Sequence, residues 1–113
     1  MRGDRVRLID IRDAAERINR YVVYGRERFE SDELVQTWVL HHLQIIGEAA
    51  RALSPGFRAS SPQIPWAAII GLRTILVHHY FQIDIEAAWV AASRDVPALS
   101  TEVAALLSAL PPD

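Results

Sequence analysis

The stretch Ile64-Pro65-Trp66-Ala67-Ala68-Ile69-Ile70-Gly71-Leu72-Arg73-Thr74-Ile75-Leu76-Val77-His78-His79-Tyr80 decides the reading of this chain. Pro65 is suited to open a helix, because its fixed φ and missing N–H are tolerated in a first turn. One face then carries Trp66, Ile70, Arg73, Val77 and Tyr80, a second Ile69, Leu72, Leu76 and His79, and a third Ala68, Gly71, Ile75 and His78. A helix apolar nearly all round belongs inside a protein. It is expected to be the central element, with Ala68 and Gly71 admitting a neighbouring backbone. A guanidinium, an imidazole and a phenol within it need a reason, because buried charge is costly unless it is paired.

Working outward, Leu8, Ile11, Ala15, Ile18 and Val22 recur at steps of three and four and line one side of an amphipathic helix. Asp4 is its expected cap and Gly25 its stop. Ser31-Asp32-Glu33-Leu34 offers the polar start of a second helix, with Trp38, His42, Ile45, Ala49 and Leu53 as its stripe and Val35, Val39 and Ile46 widening it. So broad an apolar surface predicts burial on two sides. Ser54-Pro55-Gly56 ends this helix, and the stretch 57–65 reads as a loop. Asp84 starts a fourth helix through Ile85, Ala88, Trp89 and Ala92. Pro97 is expected to kink or break it before Leu99, Val103, Leu106 and Leu110 resume the pattern up to Pro111-Pro112. β-alternation of useful length is absent. The predicted fold is all-α, an up-and-down bundle of about four helices forming one domain over residues 1–113.

Composition narrows the function. Half the residues are apolar and 23% are charged, the balance of a packed chain and not of a disordered one. Zero cysteines exclude disulfides and thiolate metal sites. The N-terminus lacks the apolar core of a signal peptide, and no apolar run reaches the roughly 18 residues of a membrane span. A cytoplasmic protein with no membrane association is the simplest expectation. All twelve basic residues are arginine, and eight of them fall in the first 28 positions against five acids, a local balance of +3. Such a segment can present a basic face to RNA, but it does not by itself imply nucleic-acid binding, because alternating Arg and Asp more often marks a solvated helix face. No glycine-rich phosphate loop, Ser or Cys nucleophile signature, or basic DNA-recognition helix is present.

Arg73, His78 and Tyr80 form the pattern R-x4-H-x-Y, behind Ile64-Pro65-Trp66 and downstream of Ile46-Gly47-Glu48-Ala49-Ala50 and Leu53-Ser54. In this order and spacing the motifs resemble the HEPN ribonuclease toxins encoded beside minimal nucleotidyltransferase antitoxins, and the resemblance covers nearly the whole chain. It implies a HEPN-like homodimer that cuts RNA without a metal or other cofactor at a composite cleft, with Arg73 and His78 catalytic. It also implies a cognate nucleotidyltransferase partner that attaches AMP to Tyr80, adding negative charge and bulk beside Arg73. Thr74 departs from the family, which often places asparagine after the arginine; a threonine keeps a hydroxyl but loses the amide's two-sided hydrogen bonding.

Those residue types suit the chemistry. Cleaving RNA without a metal requires a base for the 2′-hydroxyl, a cation for the charge on the phosphorane and a proton donor for the leaving 5′-oxygen. Histidine exchanges protons near neutral pH, and arginine offers a permanent planar fork that matches phosphate oxygens. On a continuous helix Arg73 and His78 point about 140° apart with an axial separation of about 7.5 Å. They would meet at one phosphate if the helix frays near His78, if Arg73 reaches round, or if a twofold axis brings two copies of each to one cleft.

Each residue also has a plainer reading. Arg73 could pair with a buried Glu48 and serve the fold alone, or Glu48 could orient Arg73 or a histidine. His78 could be a hydrogen-bonded core histidine, and Tyr80 an aromatic packed on Trp66 or Trp89. His42, on an apolar stripe, is expected to satisfy a buried polar group or to line the dimer cleft. The pairs His41-His42 and His78-His79 do not make a metal site, because neighbouring helical residues diverge by about 100°. Gly47 is expected to permit close helix packing. Against the nuclease stands a non-catalytic helical dimer or nucleotide-binding module that docks the nucleotidyltransferase.

Overall fold

The computed structural model describes residues 2–74 and 84–111, and they are helical throughout apart from their connections. The elements are α1 (Arg2–Val22), α2 (Arg26–Ser31), α3 (Glu33–Ala52), α4 (Pro55–Ala59) and α5 (Trp66–Gly71), a 3-10 turn (Leu72–Thr74), α6 (Ile85–Val90), a π turn (Ala91–Asp95) and α7 (Val96–Ala109). Four long runs carry the bundle: α1, α3, α5 with its 3-10 turn, and α6 continuing through the π turn into α7. This is the all-α architecture expected from the sequence.

The stripe of α1 is the first wall of the core: Leu8, Ile11 and Ile18 are fully buried and Ala15 nearly so. Gly25 stops the run as expected, at φ 94, a left-handed conformation open to glycine at little cost, and its N–H bonds the Val22 carbonyl at 2.9 Å. Asp4 has a different role from the expected cap. It lies inside α1, 3% exposed, and accepts from both the backbone N–H and the hydroxyl of Ser54 at 2.8 Å. A carboxylate near a helix start is favourable anyway, and here it also closes the far end of α3. That contact, with the Trp38 indole donating to the Arg17 carbonyl at 2.7 Å, shows that α1 and α3 run antiparallel.

Asp32 caps α3 as the polar start suggested, accepting from the backbone N–H groups of Leu34 and Val35. The Arg28 guanidinium first, then those two donors, hold its carboxyl below the ordinary range. The buried side of α3 runs through Val35, Val39, Leu43, Ile46 and Ala50, while Trp38 and Ile45 are only half-buried. α1 packs on one flank of α3 and α5 with its 3-10 turn on another. Among the described residues α3 is therefore the central element; the helix expected to be central, from Trp66 to Tyr80, is described only as far as Thr74. Ala67 and Ala68 of α5 are exposed, and only Trp66, Ile69 and Leu72 are buried there.

The expected loop 57–65 begins inside a helix. Ser54 caps α4 by accepting from the Phe57 N–H at 3.2 Å, and Pro55 occupies its first turn. The remainder is pinned by Ile64, 3% exposed, and by the Trp66 indole donating to the Ser61 carbonyl at 3.1 Å. The short α2 is held by Phe29, 1% exposed and 5.5 Å from the Trp89 ring, and by an ion pair from Arg26 to Glu86 of α6. Pro97 breaks nothing. The π turn widens the helix just before it, where a proline ring would otherwise meet the carbonyl one turn back, and α7 proceeds with Pro97 in its first turn.

Candidate functional site

Arg73 sits in the middle of the 3-10 turn, where the α-helical repeat assumed from 66 through 80 gives way just after Gly71. Its position depends on Gly47 of α3. A Cβ at Gly47 would lie 2.8 Å from the Arg73 nitrogen, 2.9 Å from its Cβ and 3.0 Å from the Ile70 carbonyl oxygen, distances that real Cβ atoms do not tolerate. Gly47 thus admits the backbone of Arg73 directly onto α3, the close packing expected of it. Among the described residues, a Cβ built on Gly71 would meet nothing within 4 Å.

Next to Gly47, Glu48 places its carboxylate 3.6 Å from the Arg73 guanidinium. The pair is not the buried one expected: the Glu48 side chain is 54% exposed and that of Arg73 32%. At that distance the contact is longer than a direct hydrogen bond, and solvent screening leaves a pair of this kind worth only about 0–1 kcal/mol. The arginine is thus anchored by its backbone and weakly countered at its tip. Thr74 is exposed and donates its hydroxyl to the Gly71 carbonyl at 2.7 Å.

His42 is 5% exposed and fills the role of a satisfied buried group, with Nδ1 2.7 Å from the Trp38 carbonyl and its ring 4.5 Å from the Trp38 ring. Burial first, then the positive charges of His41, Arg17 and Arg20, depress its pKa below the ordinary 6.5. Its neighbour His41 lines an open groove of about 530 Å³ between α1 and α3, with Arg7, Asp10, Gln44, Ile45, Glu48 and Ala49. His41 and Glu48 are seven residues apart and so lie on one helix face. Among the described residues no cluster of His, Asp and Glu could hold a metal. His78 and Tyr80 lie outside the described residues, so Arg73, Thr74, Glu48 and His42 are the expected site residues that have a place here; the first three are adjoining and His42 is separate.

An all-α chain with an arginine set in a tight turn on a second helix is a recognisable class, and comparison gives it a family. The model described as "Ribonuclease HepT-like" matches residues 11–106, and the chain belongs to that family. It is similar to a "Probable ribonuclease HepT" of Thermococcus cleftensis, 34% identical over 93 residues that cover 81% of this chain and 84% of the relative. It is also similar to a "Putative RNase" of Methanocaldococcus jannaschii, 40% identical over 75 residues covering 66% and 69%. A further "Putative RNase", from Caldanaerobacter subterraneus, is 32% identical over 81 residues covering 72% of each. No solved structure matches the chain.

Proposed function

We propose that this chain is a metal-independent endoribonuclease toxin that works as a homodimer, with Arg73 and His78 at a cleft between the subunits. A nucleotidyltransferase antitoxin silences it by transferring AMP from ATP to the Tyr80 oxygen, with pyrophosphate leaving. One observation carries the reading. Arg73 is fixed by its backbone against Gly47, yet its guanidinium is part-exposed and, among the described residues, held only loosely by Glu48, so a phosphate can take that charge without breaking a buried ion pair there. Membership of a ribonuclease family supports the reaction class.

In this mechanism His78 removes the 2′-hydroxyl proton and the 2′-oxygen attacks phosphorus. Arg73 binds the charge that accumulates on the phosphorane oxygens. The bond to the 5′-oxygen breaks as an imidazolium, supplied by His78 of the second subunit, protonates it. A 2′,3′-cyclic phosphate and a free 5′-hydroxyl result. Purified protein without its partner is expected to cleave RNA in excess chelator, and Arg73→Ala and His78→Ala each to abolish cleavage with thermal unfolding unchanged. Cleavage that persists in both variants would sink the assignment. Mass spectrometry after co-expression with the nucleotidyltransferase is expected to find Tyr80 heavier by one AMP; an unmodified Tyr80 in an inhibited complex would reject the switch.

A second reading is favoured by Thr74, whose hydroxyl is committed to the Gly71 carbonyl and offers a phosphate little. On that reading the chain is a helical module that docks the nucleotidyltransferase or holds a nucleotide without cutting. Wild type that binds its partner and never cleaves any RNA would establish it.

A further inference from the structure

The end of the bundle where α1 turns into α2 gathers aromatic rings and arginines that the proposed reaction does not use. Tyr24, 64% exposed, is 6.4 Å from Tyr21; Tyr21 is 5.6 Å from Trp38; Trp38 is 4.5 Å from His42; and His42 is 5.1 Å from exposed His41. Five rings therefore run from the α1 terminus across to α3. The Arg28 guanidinium lies 5.6 Å from the centre of the Tyr24 ring. Beside them on α1 are Arg17 and Arg20, both exposed. Arg7, Arg12, Arg26, Arg28 and Arg73 each lie beside a carboxylate, whereas among the described residues Arg17 and Arg20, like Arg5, Arg51, Arg58 and Arg94, have none within ion-pair distance; what sets Arg17 and Arg20 apart is their place beside the rings. The charges of Arg17 and Arg20 bear on the His42 ring, as does the neighbouring His41, so the three side chains share one neighbourhood.

Unneutralised arginines next to an exposed ring fit a strand that carries phosphates and unpaired bases. The cations take the backbone, and a base stacks on the ring whatever its sequence. A duplex, with its bases already stacked on each other, gains nothing from the ring. The line also leads to the reacting centre. His41 opens the α1–α3 groove, Glu48 lies on the same face seven residues on, and Glu48 meets Arg73. From Trp38 to Glu48 is about 15 Å along the helix, a few nucleotides of extended strand.

We propose that Arg17, Arg20, Tyr24, Trp38 and His41 form a docking track for single-stranded RNA that continues through the α1–α3 groove to Arg73. It deepens the ribonuclease reading, on which its direction toward Arg73 rests, by making the substrate a single strand held several nucleotides away from the cut.

The probe is a fluorescent single-stranded 2′-O-methyl oligoribonucleotide, which lacks the attacking hydroxyl and so reports binding by wild-type protein without cleavage. Wild type is expected to bind it more tightly than a duplex of the same sequence. R17A/R20A should weaken binding at least about tenfold and lower the slope of log affinity against log salt by about 1.4, the loss of two phosphate contacts on a single strand. Tyr24→Ala should weaken it about fivefold or more, with Tyr24→Phe close to wild type, as expected for stacking. Unchanged thermal unfolding of these surface variants, and retained binding in R17K/R20K, would exclude a folding defect. The proposal is overturned if R17A/R20A and Tyr24→Ala bind the strand like wild type, as they would if this patch served a protein partner, or if the duplex binds equally well. The two readings separate cleanly. Variant-sensitive binding in a protein that never cleaves RNA keeps the track and removes the nuclease, while Arg73-dependent cleavage with variant-insensitive binding keeps the nuclease and removes the track.

Discussion

His42 is neutral and enclosed, and its depressed pKa makes folding sensitive to pH in a definite direction. The unfolded chain takes up a proton as pH falls through about 6.5, while the folded chain resists until its own lower pKa, so the stability present above about 6.5 is lost as pH falls from there toward the folded value. Thermal unfolding of wild type is expected to fall from pH 7.5 to 5.5 more steeply than that of His42→Gln; equal slopes would show that the burial carries no proton linkage. The depressed Asp32 carboxyl acts in a separate window, because its stabilisation is present above its unfolded value of 3.8 and is lost in stronger acid. At the other end of the chemistry, Thr74 spends its hydroxyl on its own helix. An amide side chain there would have a donor to spare, so Thr74→Asn is expected to raise the rate of RNA cleavage severalfold; a rate unchanged or lowered would remove position 74 from the account of activity.

The contact that matters most between elements is α3 against α5 and its 3-10 turn, and it turns on Gly47. Backbone atoms of Arg73 and Ile70 occupy the space a methyl would need, so Gly47→Ala cannot be relieved by a side-chain rotation. Overpacking of this kind costs about 1–3 kcal/mol, and relief by displacing the turn would carry Arg73 off its mark. We expect a modest drop in unfolding temperature with a disproportionate loss of cleavage; a variant that unfolds earlier but cleaves at the wild-type rate would show that the seat of Arg73 is not critical. The helical periods at this scale were legible wherever apolar stripes repeat, as in α1 and α7. Two short helices escaped because each rests on one or two residues. For α4 the signal was present in Ser54-Pro55, a cap followed by a first-turn proline. For α2 nothing local announces that Phe29 will be buried against Trp89.

At the scale of the whole molecule, the proposed reaction needs groups from both subunits. If each cleft takes one imidazole as base and the other as acid across a twofold axis, a single His78→Ala subunit should disable the dimer it enters, so wild type unfolded and refolded with increasing amounts of His78→Ala should lose activity as the square of the wild-type fraction. The variant must also be shown to run as a dimer in solution. Activity that falls only in proportion to the wild-type fraction would place both groups within one subunit. Glu48 illustrates how exposure decides a role: a carboxylate in the last third of an apolar helix reads as buried, and the packing of α5 to one side of it leaves it more than half open.

By itself the sequence determined that this chain is an all-α bundle and which residues line α1 and most of α3, and its motifs in order resembled the family that comparison shows, because periodic burial and motif spacing are written locally. Only the tertiary structure decided that α3 is central among the described residues, that Asp4 ties down Ser54, that Arg73 sits on Gly47, and that Arg17 and Arg20 share one neighbourhood with His41. Those facts depend on which helices meet and at what depth, and distances between residues far apart in the chain are set by packing, which no local period encodes.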